Sequence, residues 1–167
     1  MIINHEYWMH EALGFARQAQ SEAEVPVGAL VLDAEGNVLA VGWNKTRQNN
    51  DPTAHAEIVA LRLAAQKLNN YRLVGCRLYV TLEPCPMCAG AIQNARIEQL
   101  IFGAADYKTG ACGSVQNLFL VPQWNHHTTV LGGVLAESCG VVLQRFFIEK
   151  REFQKNKGLL IEGTDES

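Results

Sequence analysis

The sequence predicts an α/β protein, a three-layer α/β/α sandwich around a mixed, mostly parallel five-stranded sheet. Segments with strand character alternate with segments of helical periodicity along the 167 residues. A strand, helix, strand succession in the middle of the chain implies parallel neighbours, whereas a turn cluster near the N-terminus implies an antiparallel hairpin. The length and the 48% hydrophobic content suit one core, so we expect a single domain over residues 1–157 and a flexible tail over 158–167.

Each element follows from the spacing of apolar residues. Residues 5–20 have apolar side chains at helical spacing, which predicts a first helix. Two apolar runs, 27–32 and 38–41, flank the turn cluster Asp33–Asn37 and predict a hairpin. Asp51 followed by Pro52 is typical of a helix start, and this second helix is expected to run to about residue 68.

The second half of the chain continues the alternation. We predict a strand over 76–82, a helix over 86–95, strands over 99–103 and 128–131, and a last helix after Gly132 and Gly133. Residues 104–127 lack periodicity and are rich in Gly, Asn and Pro, which predicts a long functional loop with at most one helical turn.

Composition narrows the class of protein. The longest apolar stretches are far below the roughly 20 residues of a membrane span, and the N-terminus lacks the pattern of a secretory signal. Five cysteines are an odd number, and two of them form a Cys-x-x-Cys pair, so a disulfide framework explains them poorly. We therefore expect a cytoplasmic protein with no membrane partner.

Charge is unevenly distributed along the chain. The formal net charge is −3, yet residues 145–157 contain five basic and two acidic residues. A solvated final helix explains such a segment, and so does a surface that contacts phosphates. Charge by itself leaves both interpretations open.

Two short motifs indicate a metal site, His55-Ala56-Glu57 and Pro84-Cys85-Pro86-Met87-Cys88. They supply one imidazole, two thiolates and one carboxylate. A structural zinc ion usually has four protein ligands, whereas a catalytic zinc ion has three and an open position for water. His55, Cys85 and Cys88 are therefore predicted zinc ligands, and Glu57 is predicted to lie beside the metal, because residues two apart do not share a helix face.

Both motifs fall at predicted strand-to-helix transitions. Helix N-termini stabilise thiolates, which prepares the two sulfurs as ligands. Zinc lowers the pKa of its water toward about 7, and Glu57 is expected to take the proton of that water and return it to the leaving group. The reaction implied is hydrolytic loss of an amino group from an amidine-like ring carbon.

Other interpretations of the cysteines and histidines stay open at this point. Cys85 and Cys88 could form a redox pair, or the site could be structural with a fourth ligand from Cys112 or His126. Cys76 and Cys139 lie on apolar faces and are expected in the core.

His-x-Glu followed, after 26 intervening residues, by Pro-Cys-x-x-Cys resembles the signature of the zinc-dependent deaminases of nucleosides and nucleobases, the cytidine and deoxycytidylate deaminase superfamily. The wider sequence is similar to the bacterial tRNA-specific adenosine deaminases. The segments that carry this second resemblance are Val-Pro-Val-Gly-Ala at 25–29, Gly-Trp-Asn at 42–44, Asp-Pro-Thr-Ala-His-Ala-Glu-Ile at 51–58, Thr-Leu-Glu-Pro-Cys-Pro-Met-Cys-Ala-Gly-Ala at 81–91 and Gly-Ala-Ala-Asp-Tyr-Lys-Thr-Gly-Ala at 103–111.

The resemblance implies a fold, an activity and roles for individual residues. It implies a cytidine deaminase-like domain, a homodimer with one zinc ion per subunit, and conversion of adenosine to inosine at the wobble position of a tRNA anticodon, with attack of the zinc-bound hydroxide on C6. Glu57 corresponds to the proton shuttle. The residues implied to contact the substrate are Asn44 (target base), Ala56 (amide near the water), Pro84 (carbonyl near the ammonia), Asp106 (flipped nucleotide and its neighbour), and Phe147, Lys150 and Arg151 (anticodon loop).

Two other functions compete with this one. The first is deamination of a free base or nucleotide such as guanine, cytosine or deoxycytidylate, and the second is a noncatalytic zinc module that binds RNA. A carboxylate beside the metal that is not a ligand favours an enzyme over a binding module. The region around Lys108 to Gly110, Phe147 and the basic last helix favour an RNA substrate over a small molecule.

Overall fold

The computed structural model describes residues 2–162, with side chains described through residue 159. This part of the chain contains five strands and four α-helices. In chain order they are α1 (His5–Ser21), β1 (Gly28–Leu32), β2 (Val38–Trp43), α2 (Ala56–Leu68), β3 (Arg77–Leu82), α3 (Pro86–Asn94), β4 (Gln99–Ala104), β5 (Thr129–Leu131) and α4 (Ala136–Glu162).

The five strands form one mixed sheet in the order β2-β1-β3-β4-β5. Strand β1 is antiparallel to both of its neighbours, β2 and β3, whereas β3 with β4 and β4 with β5 are parallel. Four of the five strands therefore run in one direction, which confirms the predicted mixed, mostly parallel sheet. The predicted antiparallel hairpin is the β1–β2 pair.

Helices cover both faces of the sheet and complete the three layers. Alternate residues of β1 separate the two cores, because successive strand residues point to opposite faces. Leu30 and Leu32 pack with α1 and with Cys139 of α4. Ala29 and Val31 pack in the other core with buried residues of α2 and α3. Cys76 and Cys139 are both buried, as expected.

Helix α2 starts later than the sequence predicts. Asp51 does not cap it, because its carboxylate accepts hydrogen bonds from the N–H and hydroxyl of Thr53, at 2.8 and 2.7 Å, within a turn. The helix begins at Ala56 with His55 as the N-cap residue. This shift moves His55 from inside the helix to its entrance.

The C-terminal part of the described chain consists of a long loop, β5 and helix α4. Helix α4 continues to Glu162, five residues past the expected domain limit at 157. Residues 163–167 of the predicted tail lie outside the described residues. The loop between β4 and β5 contains a single 3-10 turn, Leu118–Leu120, in agreement with the expected long loop. Within residues 2–162, no helix has both the length and the apolar character needed to cross a membrane.

Candidate active site

One edge of the sheet gathers the predicted site residues. Strands β2, β3 and β4 run in the same direction, so their carboxyl ends meet at this edge. Asn44 directly follows β2, Pro84 and Cys85 follow β3, and Asp106 follows β4. Ligand sites of open α/β sheets lie at the carboxyl ends of the strands.

Two helix N-termini bring the metal ligands to this edge. His55 is the N-cap residue of α2 and Cys85 is the N-cap residue of α3, with Pro86 at the first helical position. Neither side chain makes a capping hydrogen bond, which leaves both available as ligands. Gly42 of β2 allows α2 to approach closely, since a Cβ atom there would lie 2.6 Å from the carbonyl oxygen of Ala56.

The three predicted ligands form one compact group. His55 Nδ1 lies 3.6 Å from Cys85 Sγ and 3.5 Å from Cys88 Sγ, and the ligand atoms of all three residues lie within 4.8 Å of one another. Tetrahedral zinc, with Zn–N of about 2.0–2.1 Å and Zn–S of about 2.3 Å, separates a nitrogen from a sulfur by about 3.6 Å. The donor set and its spacing therefore fit a zinc ion.

The electrostatics of the group also suit a cation. Hydrogen bonding from Cys88, with a further contribution from His55, lowers the pKa of Cys85 to about 4. The hydrogen bond between the two sulfurs, together with burial, raises the pKa of Cys88. The hydrogen bond to Cys85 raises the pKa of His55. Thiolates and neutral imidazoles are the forms that bind a metal ion, so zinc binding by His55, Cys85 and Cys88 would be coupled to proton release.

Glu57 lies next to this group without belonging to it. Its side chain is 4% exposed, and its carboxylate oxygen Oε2 is 2.9 Å from Cys88 Sγ. Burial raises the pKa of Glu57, which increases its affinity for a proton. A carboxylate in this position can accept and return a proton beside the metal.

Neither residue suggested as a fourth ligand joins the three. Among the described residues, Cys112 is not part of the ligand group. The ring nitrogen Nε2 of His126 donates instead to the carbonyl oxygen of Ile97, at 2.7 Å. Within the described part of the chain, the group offers three possible ligands, the number that a catalytic zinc site usually has.

Asn44 is held in place by the entrance of α2. Its side-chain oxygen accepts a hydrogen bond from the Ala56 N–H at 2.8 Å, and the side chain is 9% exposed. The Ala56 N–H therefore donates to Asn44, a hydrogen bond that the motifs do not predict. The side-chain hydrogen bond of Asn44 found among residues 2–159 uses its oxygen, which leaves the NH₂ group available to a ligand.

Pro84 and Asp106 are both tied to the loop that follows β4. The Pro84 carbonyl accepts from the Ala111 N–H at 2.9 Å and keeps a second lone pair free. The Asp106 carboxylate accepts from the backbone N–H groups of Lys108 and Thr109, at 3.0 and 3.2 Å, and from the Thr109 hydroxyl at 2.9 Å. Asp106 thus shapes the loop in which it lies.

The three residues predicted on the last helix are all exposed. Phe147 is 42% exposed, and Lys150 and Arg151 are exposed as well. Residues three and four positions apart share a helix face, so both cations lie on the side of α4 that presents Phe147. The structure leaves this aromatic and basic face open to solvent.

Two further glutamates, which the sequence motifs do not indicate as site residues, are buried near the site. Glu24 is 1% exposed and accepts from the N–H of Gln48 at 2.7 Å and from the hydroxyl of Thr46 at 3.2 Å, in the loop that follows Asn44. Glu83 is 3% exposed and accepts hydrogen bonds from the loop after β4. The sequence contains one indication of a role for Glu83: it is an acidic residue between the end of β3 and the Pro-Cys-x-x-Cys motif.

Comparison with known proteins agrees with this geometry. Residues 2–104 match the family described as the cytidine and deoxycytidylate deaminase zinc-binding region. The tRNA-specific adenosine deaminase of Haemophilus influenzae is 48% identical over 161 residues, which cover 96% of this chain and 93% of that protein.

Solved structures show the same relationship. A structure from a study of A-to-I editing by tRNA:A34 deaminases at the wobble position of transfer RNA has a TM-score of 0.79 and 44% identity, over 82% of this chain and 99% of the other. The guanine deaminase of Bacillus subtilis has a TM-score of 0.59 and 39% identity, over 62% of this chain and 66% of the other. The chain is therefore an enzyme that belongs, with the tRNA-specific adenosine deaminases, to the zinc-binding cytidine and deoxycytidylate deaminase family.

Proposed function

We propose that this enzyme converts adenosine to inosine at the wobble position of a tRNA anticodon. One observation carries the choice of substrate. The family match ends at residue 104, whereas the similarity to the H. influenzae tRNA-specific adenosine deaminase includes 161 of the 167 residues. It therefore extends into the loop after β4 and into α4, the regions that have no part in holding the metal.

His55, Cys85 and Cys88 hold the zinc ion in this proposal. When bound, zinc lowers the pKa of a coordinated water to about 7 and so supplies a nucleophile at neutral pH. The buried carboxylate of Glu57 accepts a proton from the attacking water and delivers it to the amino group of C6. The new C–O bond replaces the C–N bond, and ammonia leaves.

Other residues orient the base. The Asn44 oxygen accepts from the Ala56 N–H, which orients the side chain, and we assign the Asn44 NH₂ group as donor to a ring nitrogen of adenine. We assign the free lone pair of the Pro84 carbonyl to the departing ammonia. We assign Asp106, which follows the carboxyl end of β4, to contacts with the flipped nucleotide and its neighbour.

The exposed face of α4 has the chemistry of an RNA-binding surface. Unpaired bases of RNA loops stack on aromatic side chains, and cations contact the backbone phosphates. Phe147, Lys150 and Arg151 supply both groups on one side of the helix. We propose that this face meets the anticodon loop.

We further propose that the enzyme is a homodimer located in the cytoplasm. Apolar side chains exposed on α2 and directly after it offer surface for a second subunit; they are Leu63, Leu68, Tyr71 and Val74. All five cysteines are free, and thiolate ligands suit a reducing compartment.

The test is incubation of the zinc-loaded protein with matched tRNA transcripts that have adenosine or guanosine at the wobble position. Free adenosine, guanine and cytidine serve as parallel substrates. We expect inosine in the adenosine transcript alone. Ammonia release from guanine, with no inosine in the tRNA, would instead support the free-base deaminase, which the similarity to the B. subtilis guanine deaminase makes the second candidate.

A further inference from the structure

Glu83 is a buried carboxylate that the proposed chemistry does not use. It lies between the end of β3 and Pro84, two residues before the ligand Cys85, and it is 3% exposed. Its backbone N–H donates to the carbonyl oxygen of Ala104 at 2.8 Å, which joins the carboxyl ends of β3 and β4. A buried carboxylate is costly unless hydrogen bonds satisfy it.

The loop after β4 supplies those hydrogen bonds. The backbone N–H groups of Asp106, Cys112 and Ser114 donate to the Glu83 carboxylate, at 3.3, 3.0 and 3.3 Å. The hydroxyl of Ser114 donates to it as well. Three residues of the loop therefore donate hydrogen bonds to the same carboxylate group.

The loop also fits closely around this carboxylate. At Gly110, a Cβ atom would overlap both Glu83 Oε2 and the carbonyl oxygen of Asp106. Only a residue without a side chain allows the backbone to pass at this distance. The Ala111 N–H then reaches the Pro84 carbonyl, so the loop is fixed to the ligand-bearing segment at two neighbouring points.

This anchoring determines which residues the loop presents. Asp106 is partly exposed, whereas Tyr107 is 83% exposed and Lys108 is also exposed. The catalytic groups are positioned by two helices, because His55 and Cys85 are the N-cap residues of α2 and α3, and Glu57 and Cys88 lie in the first turns of those helices. Loss of the anchor should therefore disturb substrate binding more than the chemical step.

We propose that Glu83 is a positioning residue that holds the loop after β4 in the conformation that receives the RNA. The inference rests on the proposed function, since it assigns that loop to substrate binding. An anion is required at this position, because four donors converge on the two oxygens and an amide can accept from only one of its two ends.

The experiment compares Glu83→Gln with the wild-type enzyme, both loaded with zinc, on an anticodon stem-loop. Glutamine preserves the volume and places an NH₂ group against backbone donors. We expect zinc content to be retained, KM to rise about 10-fold with a smaller change in kcat, and amide hydrogen exchange to accelerate at residues 106, 112 and 114. Exchange in the cores on both faces of the sheet should stay as in the wild type.

Ser114→Ala is the matched milder variant, because it removes one donor and leaves the three backbone donors in place. We expect a KM increase of about 2- to 5-fold. If Glu83→Gln does not fold, Ser114→Ala becomes the test. An unchanged KM in Ser114→Ala then contradicts the positioning role of Glu83. A purely structural role predicts lower thermal stability with an unchanged KM and no selective change in exchange.

The outcomes separate this inference from the proposed function. If the wild-type enzyme deaminates the stem-loop and Glu83→Gln has a wild-type KM, the positioning role is wrong and the function stands. If the wild-type enzyme has no activity on RNA, the proposed function fails and the positioning role fails with it. Exchange that does not change in Glu83→Gln overturns the inference in either case.

Discussion

The metal site and the C-terminal half of α4 are built in opposite ways. Two of the predicted ligands, His55 and Cys85, are N-cap residues, and the third, Cys88, is buried beside Glu57. After Cys139, no residue of α4 through residue 159 is buried. Catalysis requires reacting groups that are held in a fixed geometry and shielded from water, whereas recognition of a large, flexible substrate requires an accessible surface. Substitutions in the two regions should therefore fail in different ways.

The largest expected effect is the loss of the metal. Cys85→Ala removes one of three ligands and should abolish zinc binding and all deaminase activity. Metal analysis of the purified protein measures the first effect, and ammonia release measures the second. Cys139→Ala is the matched control, because Cys139 is a buried cysteine of the opposite core and should retain zinc. Full zinc occupancy in Cys85→Ala would refute the ligand set.

The next effect separates the chemistry from the metal. Glu57→Gln keeps the size of the side chain but cannot transfer a proton, so kcat should fall by about 10²- to 10⁴-fold. Zinc content and KM should change little, because Glu57 is not a ligand in the proposed site. Steady-state kinetics and metal analysis measure kcat, KM and zinc content in Glu57→Gln and in the wild-type enzyme. A variant that keeps the wild-type kcat would contradict the role of Glu57 as proton shuttle.

The smallest effect is expected on the exposed helix. Phe147→Ala should leave zinc, stability and kcat close to wild type, while KM for the stem-loop rises about 10-fold through the loss of one stacking contact. Phe153→Ala is the matched control, because Phe153 is an exposed aromatic residue that lies about 120° away around the same helix. Equal KM values for Phe147→Ala and the wild type would remove α4 from the recognition surface.

Agreement between sequence and structure is best where interactions are local. The Cys-x-x-Cys spacing at a helix start, and the continuous apolar run that forms β1, depend on neighbours a few residues away. The strand β1 and the helix start at Cys85 were predictable for this reason, whereas the division of the expected single core into one cluster on each face of the sheet was not predicted. The start of α2 was not, because the Asp51-Pro52 pair is compatible with either a helix cap or the turn that Thr53 stabilises.

Contacts between distant segments could not be read from local patterns. The bond between Asn44 and Ala56 depends on the close packing of α2 against β2 at Gly42. Glu83 accepts from residues 23 to 31 positions later in the chain, along a loop without periodicity. Nothing in the spacing of such residues indicates that they meet.

The sequence by itself determined the sheet's strands, and it predicted a group of three residues able to hold a metal ion with a carboxylate beside them. These features follow from residue type and from the spacing of residues within each short segment of the sequence. Only the tertiary structure decided that Asn44 holds the entrance of α2 and that Glu83 anchors the loop after β4. Both depend on buried polar groups finding partners across the fold, and that pairing is settled by the packing of the whole chain.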